Sequence, residues 1–254
     1  MKTIVKYDLL YWQRTSKFIV LGALGLFLSG LSVLTARYFN YIIEFALRSE
    51  GIDIEMPEPT VLESYTQFFS NFNQIFLWVV LFVAVAFFTR DRTRGHLPLL
   101  FSKPLSRIHF ILSKSLLISL TVLVTLLASA VVFGYYTYFL FDTFALGRFL
   151  LALLGFYAFV LMIVHTGLLV SAASKSYWVP ALSALGLYFV ASLLTILDFG
   201  VLKYMPWHLA AYPLVYAHGQ LDTSVLLWAT ALAFALSAVM VLLSLRLFKS
   251  RPIV

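Results

Sequence analysis

Residues 115–140 read SLLISLTVLVTLLASAVVFGYYTYFL. No charged side chain interrupts them, and the apolar residues run on without the every-second-position alternation of a barrel strand. A helix needs about 20 such residues to cross a bilayer. Five further runs repeat the pattern, at 18–36, 68–89, 149–171, 179–197 and 225–245. Asn71, Asn73 and Gln74 interrupt the start of the second run. These runs predict an all-α membrane protein with six transmembrane helices in one domain, 1–254. Composition agrees. Hydrophobic residues make up 62% of the 254-residue chain and charged residues 11%. A soluble domain is nearer half apolar and a quarter charged, and disorder requires low hydrophobicity. With no cysteine, disulfides, thiolate catalysis and cysteine-ligated metals are excluded.

The basic residues orient the spans. With the N-terminus in the cytoplasm, 14 of the 18 Lys and Arg fall on inner segments, against only Asp8 and Asp91 of the acids. The inner side then carries a surplus of 12 positive charges and the outer side a deficit of five, which together make the net +7. The positive-inside rule therefore accounts for the whole basic surplus, and no charge is left over to argue for nucleic acid. Both termini are predicted to be cytoplasmic. The first run is too long for the core of a cleaved signal peptide and has no small-residue cleavage site after it.

The segments between the runs have their own signatures. In residues 1–17, Val5, Leu9 and Trp12 fall at helical spacing, with Lys6, Gln13 and Lys17 on other faces, as in a helix lying along the inner membrane surface. The outer loop 37–67 is acidic, and Pro57 and Pro59 break any helix there. Tyr135, Tyr136 and Tyr138 sit where a headgroup belt is expected. The outer segment 198–224 is apolar and aromatic yet broken by Pro206 and Pro213, which suits a re-entrant hairpin covered by protein. Gly25 and Ser29 in the first run, and Ala229, Ala233 and Ser237 in the last, allow close helix packing.

Catalytic chemistry finds no foothold. Ionisable residues deep in a membrane usually mark ion or proton pathways, and His165 is the clear case within the runs. It reads as a neutral histidine bonded to a neighbouring helix. The sequence holds no HExxH zinc motif, no G-x-S-x-G elbow and no phosphate-binding G-x-x-x-x-G-K-[ST] loop. The chain is expected to be a non-catalytic subunit with no cofactor of its own, so energy for active transport must enter from outside. The place for that is the inner loop 90–114, which joins charges at Arg90–Arg94, a turn at Gly95, an apolar knob of Leu97, Leu99, Leu100 and Phe101, and a helix start at Pro104. Such a knob should bury itself against the membrane surface or against a soluble partner.

This loop resembles that of the type-2 permeases of ATP-binding-cassette transporters. There, an acidic–basic cluster, a Gly and a leucine pair precede Ser-x-Pro-[small apolar]-Ser-Arg and a Lys at the next span. Asp91, Arg92, Gly95, Leu99, Leu100, Ser102, Pro104, Leu105, Ser106, Arg107 and Lys114 supply these in order. The layout is also similar: an N-terminal amphipathic elbow, six spans and a broken hairpin before the last. One departure is that His96 and Pro98 stand where the family usually has a Thr and an acid, and Pro98 would disrupt a helix interior. The resemblance implies that the loop is a coupling helix seated in a groove of a separate cytoplasmic ATPase, which binds ATP and Mg. Asp91, Arg94, Gly95, Leu97, Leu100, Pro104, Ser106 and Arg107 would lie at or near that contact. It further implies pairing with a second permease chain, like or unlike, export of an amphipathic or hydrophobic substrate such as a peptide, drug or lipid, and a prokaryotic plasma membrane. A stand-alone secondary carrier and a non-transporting scaffold are the alternatives.

Overall fold

The computed structural model of the chain describes residues 2–52, 56–101, 106–174, 176–197 and 199–250. The described residues form helices joined by short turns. Helix α1 (Lys2–Arg14) is followed by α2 (Lys17–Ser49), and Ser16 makes the corner between them in the left-handed region, φ 53°. A long helix comes next. It begins as α3 (Val61–Asn71), passes through a π-helical turn (Phe72–Phe76) and continues as α4 (Leu77–Thr93). The short α5 (Leu97–Phe101) leads to α6 (Arg107–Phe141), α7 (Leu146–Ala173) and α8 (Trp178–Leu194). Two 3-10 turns (Gly200–Tyr204 and Pro206–Ala210) and α9 (Tyr212–Ala217) precede the last helix, α10 (Thr223–Ser250).

Among the described residues, five helices are long and apolar enough to cross a membrane: 17–49, 61–93, 107–141, 146–173 and 223–249. The fifth predicted run, 179–197, forms an apolar helix of only 17 residues, α8. The first run extends well beyond its apolar stretch. Residues 37–49 are helical rather than loop, and the i,i+4 pair Glu44–Arg48 closes at 2.6 Å near the end.

Helix α7 is the axis. In its apolar stretch 72% of residues are buried, against 33% in α2 and in α10. Its glycines let neighbours in: a Cβ on Gly155 would meet Leu226 at 3.0 Å and Leu209 at 3.4 Å, and one on Gly167 would meet Val85 at 3.0 Å. The outward faces of α2, α6, α8 and α10 are apolar, with Phe27, Val131, Leu193 and Trp228 all exposed, as lipid-facing helices require.

Helices α2 and α6 meet at Gly25, where an added Cβ would lie 2.6 Å from Ser129 Oγ and 2.7 Å from Thr125 Cγ2. Gly25→Leu should therefore wedge the pair apart and cost about 2–3 kcal/mol, whereas Gly30→Ala, with open space around it, should change stability by less than about 0.5 kcal/mol. Thermal unfolding of the two variants checks this.

Two sets of contacts define the ends of the bundle. At one end, here the loop end, lie α1, the end of α4, α5, the start of α6 and the ends of α7 and α10. Arg92 reaches carbonyls at 171–174, Arg107 reaches those of Phe248 and Lys249, and Phe110 stacks on Phe248 at 5.5 Å. At the far end, the Ala145 amide donates to Tyr65 Oη at 3.1 Å and Thr66 meets His218 at 3.0 Å. Helix α8 starts four residues after the loop-end contact at Ser174 and precedes the segment that meets the far end.

Candidate functional site

The loop end holds a buried cluster of charge. Asp8, Asp91 and Lys114 are fully buried and Arg90 nearly so. They come from three stretches of sequence: Asp8 from α1, Arg90 and Asp91 from the last turns of α4, Lys114 from the second turn of α6. Lys114 Nζ lies 2.7 Å from Asp91 Oδ2 and 3.6 Å from Asp8 Oδ1, and it donates to the Phe87 carbonyl at 3.1 Å. Arg90 Nε is 3.2 Å from Asp91 Oδ1. Ser113 Oγ donates to Asp8 Oδ2 at 2.8 Å and Tyr7 Oη to Asp91 Oδ1 at 3.2 Å. Arg90 also bonds Tyr7 Oη, and its guanidinium lies over the Tyr11 ring, 3.7 Å from the centroid.

Two acids and two bases make a neutral set. That is the condition for burying charge, because an unpaired ion taken from water costs several kcal/mol. Burial pushes the Asp8 carboxyl above its usual range, and Lys114 and the Ser113 hydroxyl pull it the other way. The four charges, which the sequence places on inner segments outside the apolar runs, are thus enclosed by the protein rather than left at its surface.

The same end explains how α1 docks. Its buried face is Ile4, Asp8 and Trp12, spaced i, i+4, i+8, while Val5 is half-buried and Leu9 exposed. The inward face is therefore rotated from the Val5–Leu9–Trp12 stripe that hydrophobicity alone suggests, because Asp8 turns in to Lys114. Trp12 packs edge-on against Phe87 at 5.3 Å.

Asp91 also builds the loop. The His96 amide donates to its carbonyl at 2.8 Å and the Gly95 amide to that of Arg92 at 3.1 Å, with Gly95 at φ +67°. These are the paired bonds of a Schellman cap, and the left-handed residue is the glycine such caps favour. Helix α5 begins at Leu97, two residues after that glycine. Pro98 falls in its first turn, where no backbone N–H is needed, so the departure from the family pattern does not break the helix. Leu100 closes the turn by donating to the His96 carbonyl at 2.9 Å.

Of the residues expected at a partner contact, the structure separates two groups. Arg94, Gly95 and Ser106 are exposed, as is Pro98 beside them. Asp91 and Leu97 are buried, Leu100 and Phe101 are half-buried against the core, and Pro104 lies outside the described residues, as do Ser102 and Leu105. The apolar knob thus buries much of itself on its own chain, with Phe101 5.8 Å from Phe110 and 6.1 Å from Phe248. Arg107 Nη1 donates to the Lys249 carbonyl at 2.9 Å and to that of Phe248 at 3.4 Å. Arg92 donates to Ser171, Ser174 and Ala172 carbonyls at 2.8, 2.7 and 3.2 Å. Both arginines therefore cap helix C-termini, where orphan carbonyls and the helix dipole favour a cation.

His165 sits deeper, where three helices meet. Its Nε2 is 2.9 Å from Ser115 Oγ, and its Nδ1 bonds Ser237 Oγ. Serines satisfy both ring nitrogens, as a buried neutral histidine requires.

The far end has its own polar feature. Asn73, inside the π turn, donates to the Ala210 carbonyl at 3.0 Å, and Asn71 donates to Ser32 Oγ at 2.9 Å. The polar residues that interrupt the second run thus bind neighbouring segments. A cavity of about 220 Å³ opens there, lined by Asn73, Phe69, Phe156, Tyr188 and Pro213 among others.

Comparison with known proteins places the chain in a family. The family described as ABC-2 family transporter protein matches residues 5–205. A protein of Bacillus subtilis (strain 168), described as the uncharacterized transmembrane protein YxlG, is 28% identical over 189 residues, covering 74% of this chain and 73% of that protein.

Proposed function

The chain belongs to the ABC-2 transporter family, and from that membership we propose that it is the permease subunit of an ATP-driven exporter, working with separate cytoplasmic ATPase subunits. The observation that carries the reading is the loop end. A capped, rigid turn at Arg94–Pro98 projects from a buried charge cluster and from two arginine-capped helix ends. A push on that turn would reach α1, α4, α6, α7 and α10 at once. The sequence offers no phosphate-binding loop of its own, so the push comes from another chain.

In this reading the loop end is cytoplasmic. Helix α8, at 17 residues, spans about 26 Å at the usual rise, near the lower limit for crossing a bilayer. Counting it as the fifth of six spans puts both termini on the cytoplasmic side, in keeping with the basic residues there. Helix α1 is the interfacial elbow. The segment 200–217 is the re-entrant hairpin: Leu209 lies against Gly155, which is nine residues, about 13 Å, along α7. Six spans make half of a transport unit, so the chain pairs with a second permease. The sparse charge of the spans favours an amphipathic or hydrophobic cargo moved outward across a prokaryotic plasma membrane.

The test is composition and activity. Affinity purification in mild detergent from the source cells should bring down a P-loop ATPase, and the purified chain alone should hydrolyse no ATP. Hydrolysis by the isolated chain would overturn the division of labour. A secondary carrier or scaffold would purify without the ATPase.

A further inference from the structure

The charge cluster joins two elements that lie far apart in sequence. Asp8 fixes α1 and Asp91 fixes the loop, since the Asp91 carbonyl takes the His96 amide at the start of the turn into α5. Lys114 stands between their carboxylates, 3.6 Å from one and 2.7 Å from the other. Beyond Asp8, the buried residues of α1 with described side chains are Ile4 and Trp12, and the half-buried Tyr7 and Tyr11 turn toward Asp91 and Phe87.

We propose that the Asp8–Lys114–Asp91 bridge makes the N-terminal helix and the inner-loop helix one mechanical unit, so that any displacement of residues 93–101 is passed to residues 2–14 and through them to α2. This stands on the cluster alone and holds whether or not the loop meets an ATPase. The physical reason is that the bridge is enclosed. A buried ion cannot exchange its partner for water without a large desolvation cost, so Lys114 cannot release one carboxylate while keeping the other. Arg90 and Tyr7 tighten the joint from the side, bonding one another and the Asp91 carboxylate. The two segments should therefore open together or not at all. Packing by Trp12 alone would instead let α1 lift while the loop stayed closed.

Amide hydrogen exchange on the full chain in phospholipid nanodiscs tests this. Asp8→Asn removes a charge on α1 only. It should speed exchange at least ten-fold in residues 2–14 and also at the His96 and Leu100 amides, leaving α7 and α10 protected. By reciprocity, Gly95→Val, which strains only the loop, should speed exchange in α1. Where Asp8→Asn loosens the whole bundle, Ser113→Ala takes its place, since it removes the 2.8 Å bond to Asp8 and keeps every charge. Faster exchange confined to the segment that carries the substitution would overturn the proposal, as would unchanged exchange in both.

Discussion

Lys114→Met should lower the stability of the folded chain by about 3–5 kcal/mol, the usual cost of breaking a buried ion pair from one side. The substitution keeps most of the apolar stem and removes the cation that bridges Asp8 and Asp91. Two buried carboxylates would then share a site with Arg90, which is paired with Asp91. The midpoint of thermal unfolding should fall by on the order of 10 °C for a chain of this size. A double variant sharpens the argument. Adding Asp8→Asn to Lys114→Met leaves Arg90 and Asp91 as a balanced pair, so the double variant should be more stable than Lys114→Met alone. If the effects of the two substitutions simply add, the residues are not coupled and the cluster is not a unit.

The second large effect is on the partner. Arg94→Glu together with Pro98→Asp alters the exposed rim of the loop without touching the cluster, the caps or the aromatic contacts. Stability should change by less than about 0.5 kcal/mol per site, as for ordinary surface positions. Association with the ATPase subunit should weaken by at least 30-fold, the loss of about 2 kcal/mol that marks an interface hot spot. Co-purification of the ATPase with the variant, quantified against the unaltered chain, measures it. Leu100 and Arg107 are poorer probes of that contact. Leu100 packs on its own chain and Arg107 caps α10, so changing either disturbs the loop end itself.

The membrane-spanning architecture was legible because a span is a local signal: about 20 apolar residues announce a helix whatever surrounds them. Helix lengths were harder to read. Residues 37–49 carry Arg37, Asn40, Glu44 and Arg48 among aromatics, so hydropathy fades before the helix does. Helix α8 reads as a span in sequence but closes after 17 residues. Asn71, Asn73 and Gln74 were visible as an interruption, yet hydropathy says nothing of a π turn whose asparagine binds a carbonyl at Ala210.

The cluster was hidden for a different reason. Asp8, Asp91 and Lys114 are about 80 and 20 residues apart, and each, taken singly, looks like an inner-surface charge. A local clue did exist: Asp8 shares the i, i+4, i+8 face of Ile4 and Trp12, and an acid on the apolar face of an otherwise basic helix needs a partner. The roles of Arg92 and Arg107 could not be read at all, because the carbonyls they cap belong to helices that end about 80 and 140 residues later.

The central claim is that the turn at Arg94–Pro98 meets a motor carried by another protein. A photo-crosslinking amino acid placed at position 94 of the full chain in its native cells tests it directly, with the adducts identified by mass spectrometry. The account predicts a crosslink to a P-loop ATPase subunit. Adducts confined to lipid or to the chain itself would contradict it.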